Sequence, residues 1–183
     1  MASGRADVAQ DGSDTRHANA FLFWGVIVVV VFLDVVTKAM AVNALTPAYT
    51  PHEIVGDYIR FTLAYNPGAA FGLNLGAASR WIFTALTIVA LAVLGALYRA
   101  TRPAEHLRTL ALALVSAGAI GNLIDRIRWS VGVVDFIDVG IGAHRFWTFN
   151  VADSAVSVGA ILLGWVLLQA DREAARVAAS TDA

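Results

Sequence analysis

The chain has 183 residues, of which 58% are hydrophobic and 15% are charged, and its formal net charge is −1. Soluble domains carry about 25% charged residues, so this composition and its long apolar runs indicate an integral membrane protein. The near-neutral charge argues against a nucleic-acid partner. The chain has no cysteine and only four scattered histidines, so we expect neither a thiolate nor a metal site, and no cofactor.

In chain order, a disordered tail is predicted over residues 1–20, followed by a single four-helix transmembrane domain over 21–170 and a second tail over 171–183. The predicted spans are about 21–42, 81–98, 107–126 and 152–169, each near the roughly 20 residues that cross a bilayer. A rival interpretation makes the first span a cleaved signal peptide, with small residues at 39–44 as the cleavage site. Asp34 and Lys38 lie between the apolar core and that site, which disfavours cleavage.

Arginine is denser in the two tails and the short 99–108 loop than in the two longer loops. This distribution predicts that both termini are cytoplasmic. In the first long loop, Ile59, Phe61 and Leu63 alternate with polar neighbours, which predicts a strand. The second, over 127–152, alternates apolar residues with glycine and aspartate. The predicted fold is therefore an all-α membrane protein with four transmembrane helices and a small extracytoplasmic β-rich structure.

Ionisable residues, which are unfavourable inside a bilayer, gather at one predicted membrane face. Asp34 and Lys38, the only lysine, lie four residues apart near the outer end of the first span and so share a helix face. Asp125 ends the third span and Asp153 starts the fourth. An ion pair that neutralises itself is the structural alternative for Asp34 and Lys38, but convergence from three spans favours a functional site.

Paired carboxylates are the chemistry that this composition supplies best. Serine catalysis by Ser154 would need Lys38 as its base, because no histidine is well placed. Two aspartates that share one proton can activate water and polarise a carbonyl, which hydrolyses an amide. Spacing alone does not choose among five candidates, which are Asp34, Asp125, Asp135, Asp138 and Asp153.

Four ordered sequence blocks resemble those of the lipoprotein signal peptidases, also called signal peptidase II. They are Asp34-x-x-Thr37-Lys38, Asn66-Pro67-Gly68-Ala69-Ala70-Phe71, Gly121-Asn122-Leu123-Ile124-Asp125-Arg126, and Val133-Val134-Asp135-Phe136 followed by Phe149-Asn150-Val151-Ala152-Asp153-Ser154.

The resemblance implies an aspartic endopeptidase of the bacterial plasma (inner) membrane, with its active site at the extracytoplasmic face. The sequence does not give the oligomeric state, and a monomer is favoured. Its partners would be membrane lipid and diacylglyceryl-modified prolipoproteins, cleaved just before the lipidated cysteine. Asp135 and Asp153 would be catalytic. The implied supporting residues are Asp34, Lys38, Asn66, Asn122, Asp125, Arg126 and Asn150.

Two further expectations concern the fourth span and a rival function. Asn150 precedes Asp153 by three residues, which is typical of a helix N-cap. A proton- or ion-coupled transporter is the alternative function, since transporters also keep acidic residues in their helices. The inner halves of the spans are nearly bare of such groups, which argues against a conduction path.

Overall fold

The computed structural model describes residues 3–67 and 78–181, with side chains over 17–67 and 78–180. Four residues of the second sequence block, Gly68, Ala69, Ala70 and Phe71, lie outside the described residues.

Four helices dominate the described chain, as predicted. They are α1 (Ser3–Ala44), α2 (Ser79–Arg99), α3 (His106–Arg128) and α4 (Val151–Thr181). Each contains a stretch that is long and apolar enough to cross a membrane, which in α1 is His17–Ala44. The prediction of a four-span membrane protein is therefore confirmed.

Helices α1 and α4 both extend beyond their predicted spans. Helix α1 begins at Ser3, where a disordered tail was predicted over 1–20, and α4 continues to Thr181 through the predicted second tail. The α4 extension contains four alanines in residues 171–181, and alanine is the strongest helix former. In α4, Glu173 and Arg176 also form an ion pair of 3.9 Å on one helix face. The predicted domain limits at residues 21 and 170 stay predictions.

Helix α3 is the centre of the bundle, because its backbone packs closely against the other three helices. Helix α2 packs mainly on α3 and also contacts α1, where the ring of Tyr98 stacks on that of Phe23 with 3.8 Å between centroids. The contact face of α3 is made of small residues. At Gly121, a Cβ atom would lie 2.6 Å from Asp34 Oδ2 and 3.1 Å from the Cβ of Ala152. The missing side chain therefore lets α1 and α4 reach α3 at the level of the polar residues.

A four-stranded antiparallel sheet lies beside the ends of the helices, which confirms the predicted β-rich structure. Its order is β1 (His52–Val55), β2 (Ile59–Asn66), β3 (Val133–Ile141) and β4 (His144–Arg145). Leu63 and Val134 are buried and pack with Leu45 at the end of α1. This packing fixes β3, and with it Asp135, against the helical bundle.

Candidate active site

Lys38 lies at the centre of a buried polar network between α1 and α3. Its Nζ is 2.8 Å from Asp34 Oδ2, 3.0 Å from Asp125 Oδ2 and 3.0 Å from Asn122 Oδ1. An ammonium has three donors, so these three acceptors satisfy it. The side chain is 3% exposed. Asp34 and Lys38 are thus not an isolated ion pair within α1, because Lys38 also pairs with Asp125 of α3.

The two carboxylates around Lys38 also hold backbone groups of other elements. Asp34 Oδ1 accepts a hydrogen bond of 2.9 Å from the N–H of Ala152, in the first turn of α4. Asp125 Oδ2 accepts one of 3.1 Å from the N–H of Val134, next to Asp135 on β3. The network therefore fixes the two segments that carry Asp135 and Asp153.

Asn150 caps α4, as its spacing predicts. Its Oδ1 accepts a hydrogen bond of 2.8 Å from the N–H of Asp153, and its own N–H donates to Asp153 Oδ2 over 3.3 Å. This reciprocal arrangement is a capping box, which satisfies N–H groups that a helix start leaves free. It also fixes the Asp153 carboxylate relative to the end of the helix.

The carboxylates of Asp135 and Asp153 are joined through two asparagine side chains. Asn150 Nδ2 donates to Asp135 Oδ1 over 2.7 Å, and Asn122 Nδ2 donates to Asp153 Oδ1 over 2.7 Å. Asn150 Nδ2 also lies 3.1 Å from Asn122 Oδ1. The side chain of Asn66, at the end of β2, also hydrogen-bonds Asp135.

Asp135 is 4% exposed. Burial, and after it the nearby charge of Asp153, raise the pKa of its carboxyl group to about 7, although the hydrogen bond from Asn150 opposes the shift. Burial acts in this direction because it disfavours the charged form of a carboxyl group. Asp135 therefore keeps its proton over a pH range in which an ordinary aspartate is ionised.

The structure separates the five candidate aspartates. Asp34 and Asp125 are paired with Lys38. Asp138 accepts hydrogen bonds from Arg145 Nε over 2.8 Å and from Thr62 over 3.1 Å. Asp135 and Asp153 instead line one cavity of about 890 Å³.

The cavity lies between the sheet and the neighbouring ends of the helices. Ser154 also lines it, but its hydroxyl donates to the carbonyl of Asn150 over 3.0 Å, and Lys38 is held by its three acceptors. Neither group is free for the serine chemistry considered above. The lining residues are Tyr49, Ala64, Tyr65, Asn66, Pro67, Phe83, Arg126, Asp135, Phe146, Trp147, Thr148, Phe149, Asp153, Ser154, Ser157 and Val158.

Two neighbours of the site have no signal in the local sequence. Tyr49 lines the cavity in a left-handed conformation, with φ of 64°. Arg80, in the first turn of α2, hydrogen-bonds the end of α3. Both placements depend on contacts between distant parts of the chain, which spacing along the sequence does not reveal.

The family model described as Signal peptidase (SPase) II matches residues 26–169. Proteins named lipoprotein signal peptidase from Burkholderia mallei (strain SAVP1) and Burkholderia vietnamiensis (strain G4 / LMG 22486) are 40% and 41% identical over 141 residues. Each alignment covers 76% of this chain and 82% of the relative.

Two solved structures share the fold. Both are described as a bacterial membrane enzyme determined by the in meso method, one at 2.3 Å and one at 1.9 Å resolution. Their TM-scores are 0.71 and 0.70 at 32% and 33% identity. The matches cover 80% of this chain and 87% and 92% of the two structures.

The fold and the matches define a membrane-embedded peptidase of the aspartic class. The chain belongs to the signal peptidase II family. The comparisons give no support to the alternative of an ion-coupled transporter.

Proposed function

We propose that the chain removes the signal peptide from diacylglyceryl-modified prolipoproteins, cleaving before the lipidated cysteine, with Asp135 and Asp153 as its catalytic pair. The observation that carries this proposal is that Asn150 bonds both carboxylates while both line one cavity. Membership of the signal peptidase II family and the names of the Burkholderia relatives support the substrate class.

The two carboxylates have different surroundings and therefore different roles. Asp153 accepts hydrogen bonds from Asn122 and from the N–H of Asn150 at a helix N-terminus, which favours a negative charge. Asp135, with its pKa raised to about 7, holds the shared proton.

Hydrolysis then proceeds without a covalent intermediate. Asp153 takes a proton from water while the water oxygen attacks the scissile carbonyl carbon, and protonated Asp135 gives its proton to the carbonyl oxygen. In the collapse of this tetrahedral intermediate, Asp153 gives the proton that it took from water to the amide nitrogen, and the C–N bond breaks. A hydroxyl group of the intermediate returns its proton to Asp135, which restores the pair. Arg126 also lines the cavity and interacts electrostatically with both carboxylates, so it helps to hold the single negative charge of the pair.

The remaining supporting residues act through position. Lys38, Asp34 and Asp125 fix the segments that carry the pair, while the side chain of Asn66 bonds Asp135. Buried carboxylates near a catalytic pair would repel its charge, and Lys38 offsets that repulsion. We propose a monomer, because every residue assigned to the site belongs to one copy of the chain.

The proposed topology places both termini in the cytoplasm of a bacterium, and the cavity at the outer face of the plasma membrane. The arginine distribution supports this orientation. Phe146 and Trp147 at the cavity are 65% and 69% exposed, and aromatic side chains are typical of the membrane interface. A lipidated substrate is held in the bilayer, so its scissile bond reaches the site at this level.

An in vitro cleavage assay tests the proposed function. Purified protein in lipid is incubated with a diacylglyceryl-modified prolipoprotein and, in parallel, with the same precursor without the lipid. We expect cleavage of the lipidated precursor before its modified cysteine, and little cleavage of the other. Equal cleavage of both precursors, or cleavage elsewhere, would contradict the proposed substrate class.

A further inference from the structure

Arg80 holds the end of the helix that carries Arg126. Its Nε donates to the carbonyl of Arg126 over 2.5 Å, and its Nη2 donates to the carbonyl of Ile127 over 2.9 Å. The last carbonyls of an α-helix have no partner within the helix. At the end of α3, the N–H of Trp129 donates to the carbonyl of Asp125. Arg80 thus satisfies two of the others, with a cation at the helix end where it is favoured.

A second residue of α2 contacts the side chain of the same arginine. The guanidinium carbon of Arg126 lies 6.0 Å from the ring centroid of Phe83. Arg80 and Phe83 are three residues apart and therefore share one face of α2. One helix face thus contacts both the backbone and the side chain of Arg126.

The side chain of Arg126 depends on these contacts for its place in the cavity. Its Nε is buried and has no hydrogen-bond partner among the described residues, although the guanidinium interacts with the charges of Asp153 and Asp135. Packing on Phe83 and the backbone that Arg80 holds therefore set its direction together with these two charges. A shift of α2 would move Arg126 relative to the pair.

We infer that Arg80 is a positioning residue of the peptidase, which acts on the reaction through Arg126. The inference rests on the proposed function, because it takes Asp135 and Asp153 as the catalytic pair. Arg80 itself is not among the residues that line the cavity. Misplacement of a catalytic group by about 1 Å can cost about a hundredfold in rate, so loss of Arg80 should slow the chemical step and not substrate binding.

A double-mutant cycle separates this role from a general effect on folding. The single-turnover rate of cleavage is measured with saturating enzyme for the wild type, Arg80→Ala, Arg126→Ala and the double variant. We expect Arg80→Ala to lower the rate about ten- to a hundredfold in the wild type, and to have no further effect once Arg126 is replaced. Arg80→Lys, which keeps a cation and a donor, should restore part of the rate.

The matched control is Arg99→Ala, at the exposed opposite end of α2, which should cleave at the wild-type rate. An equal loss from Arg80→Ala in both backgrounds, or no loss in the wild type, would overturn the inference. If Arg80→Ala does not fold, the same cycle with Arg80→Lys decides between these outcomes. Failure of the proposed function would look different, since the wild type would then leave the lipidated precursor uncut.

Discussion

Asp135→Asn and Asp153→Asn should each lower the single-turnover rate of cleavage by about 10²- to 10⁴-fold, the range that general acid–base catalysis contributes. Each change removes one partner of the pair, so that no proton can pass between water and the carbonyl oxygen. Asparagine keeps the size of the side chain and has one acceptor oxygen, which can keep the bond from Asn150 at residue 135 and the shorter bond, from Asn122, at residue 153. Helix content and thermal stability, measured by circular dichroism, should therefore stay close to those of the wild type.

The matched control is Asp138→Asn, three residues further along β3. Asp138 is buried like Asp135 but is bonded to Arg145 and Thr62 and does not line the cavity. This variant should cleave within a few-fold of the wild-type rate. A normal rate for either variant of the pair, or loss of activity in Asp138→Asn with an intact fold, would mean that the assignment of the aspartates is wrong.

Lys38→Met should lower the free energy of unfolding by about 3–5 kcal/mol, the usual cost of removing one partner from a buried ion pair. The substitution leaves the carboxylates of Asp34 and Asp125 buried without the cation that both contact. Those carboxylates also hold the N–H groups of Ala152 and Val134, so cleavage should be lost as well. Denaturant unfolding in mixed micelles measures the stability change.

Arg172→Met is the control for loss of a cation, because Arg172 is exposed on α4. Surface substitutions usually change the free energy of unfolding by less than about 0.5 kcal/mol, and we expect a change of this size for Arg172→Met. If Lys38→Met were as stable as Arg172→Met, the three-acceptor network around Lys38 could not be a major support of the fold.

The four spans were predictable because each is a long apolar run, and a bilayer leaves such runs few alternatives to a helix. The strand at Ile59, Phe61 and Leu63 was predictable from its alternation. The ends of α1 and α4 were not, because a polar segment of this kind is compatible with both a helix and a mobile tail. Such segments carry no apolar pattern that marks where a helix stops.

The sequence predicted that these polar residues cluster, but not which hydrogen bonds and ion pairs they form. Asp34 and Lys38 are four residues apart, so their contact follows from helix geometry. Lys38 also contacts Asn122, which is 84 residues away, and only the packing of α1 on α3 brings them together. Asp135 and Asp138 lie on the same strand, and the pairing of Asp138 with Arg145 of β4 is what separates them. The sequence favoured Asp135 only through the family resemblance.

The pH dependence of the single-turnover rate tests directly whether Asp135 and Asp153 share one proton. Asp135 must be protonated for the reaction, and burial together with the charge of Asp153 raises its pKa to about 7. The rate on the lipidated precursor should therefore fall as the pH rises through about 7, in the wild type and in Asp138→Asn alike. A rate that stays constant or increases between about pH 6 and 9 would contradict the protonated role of Asp135.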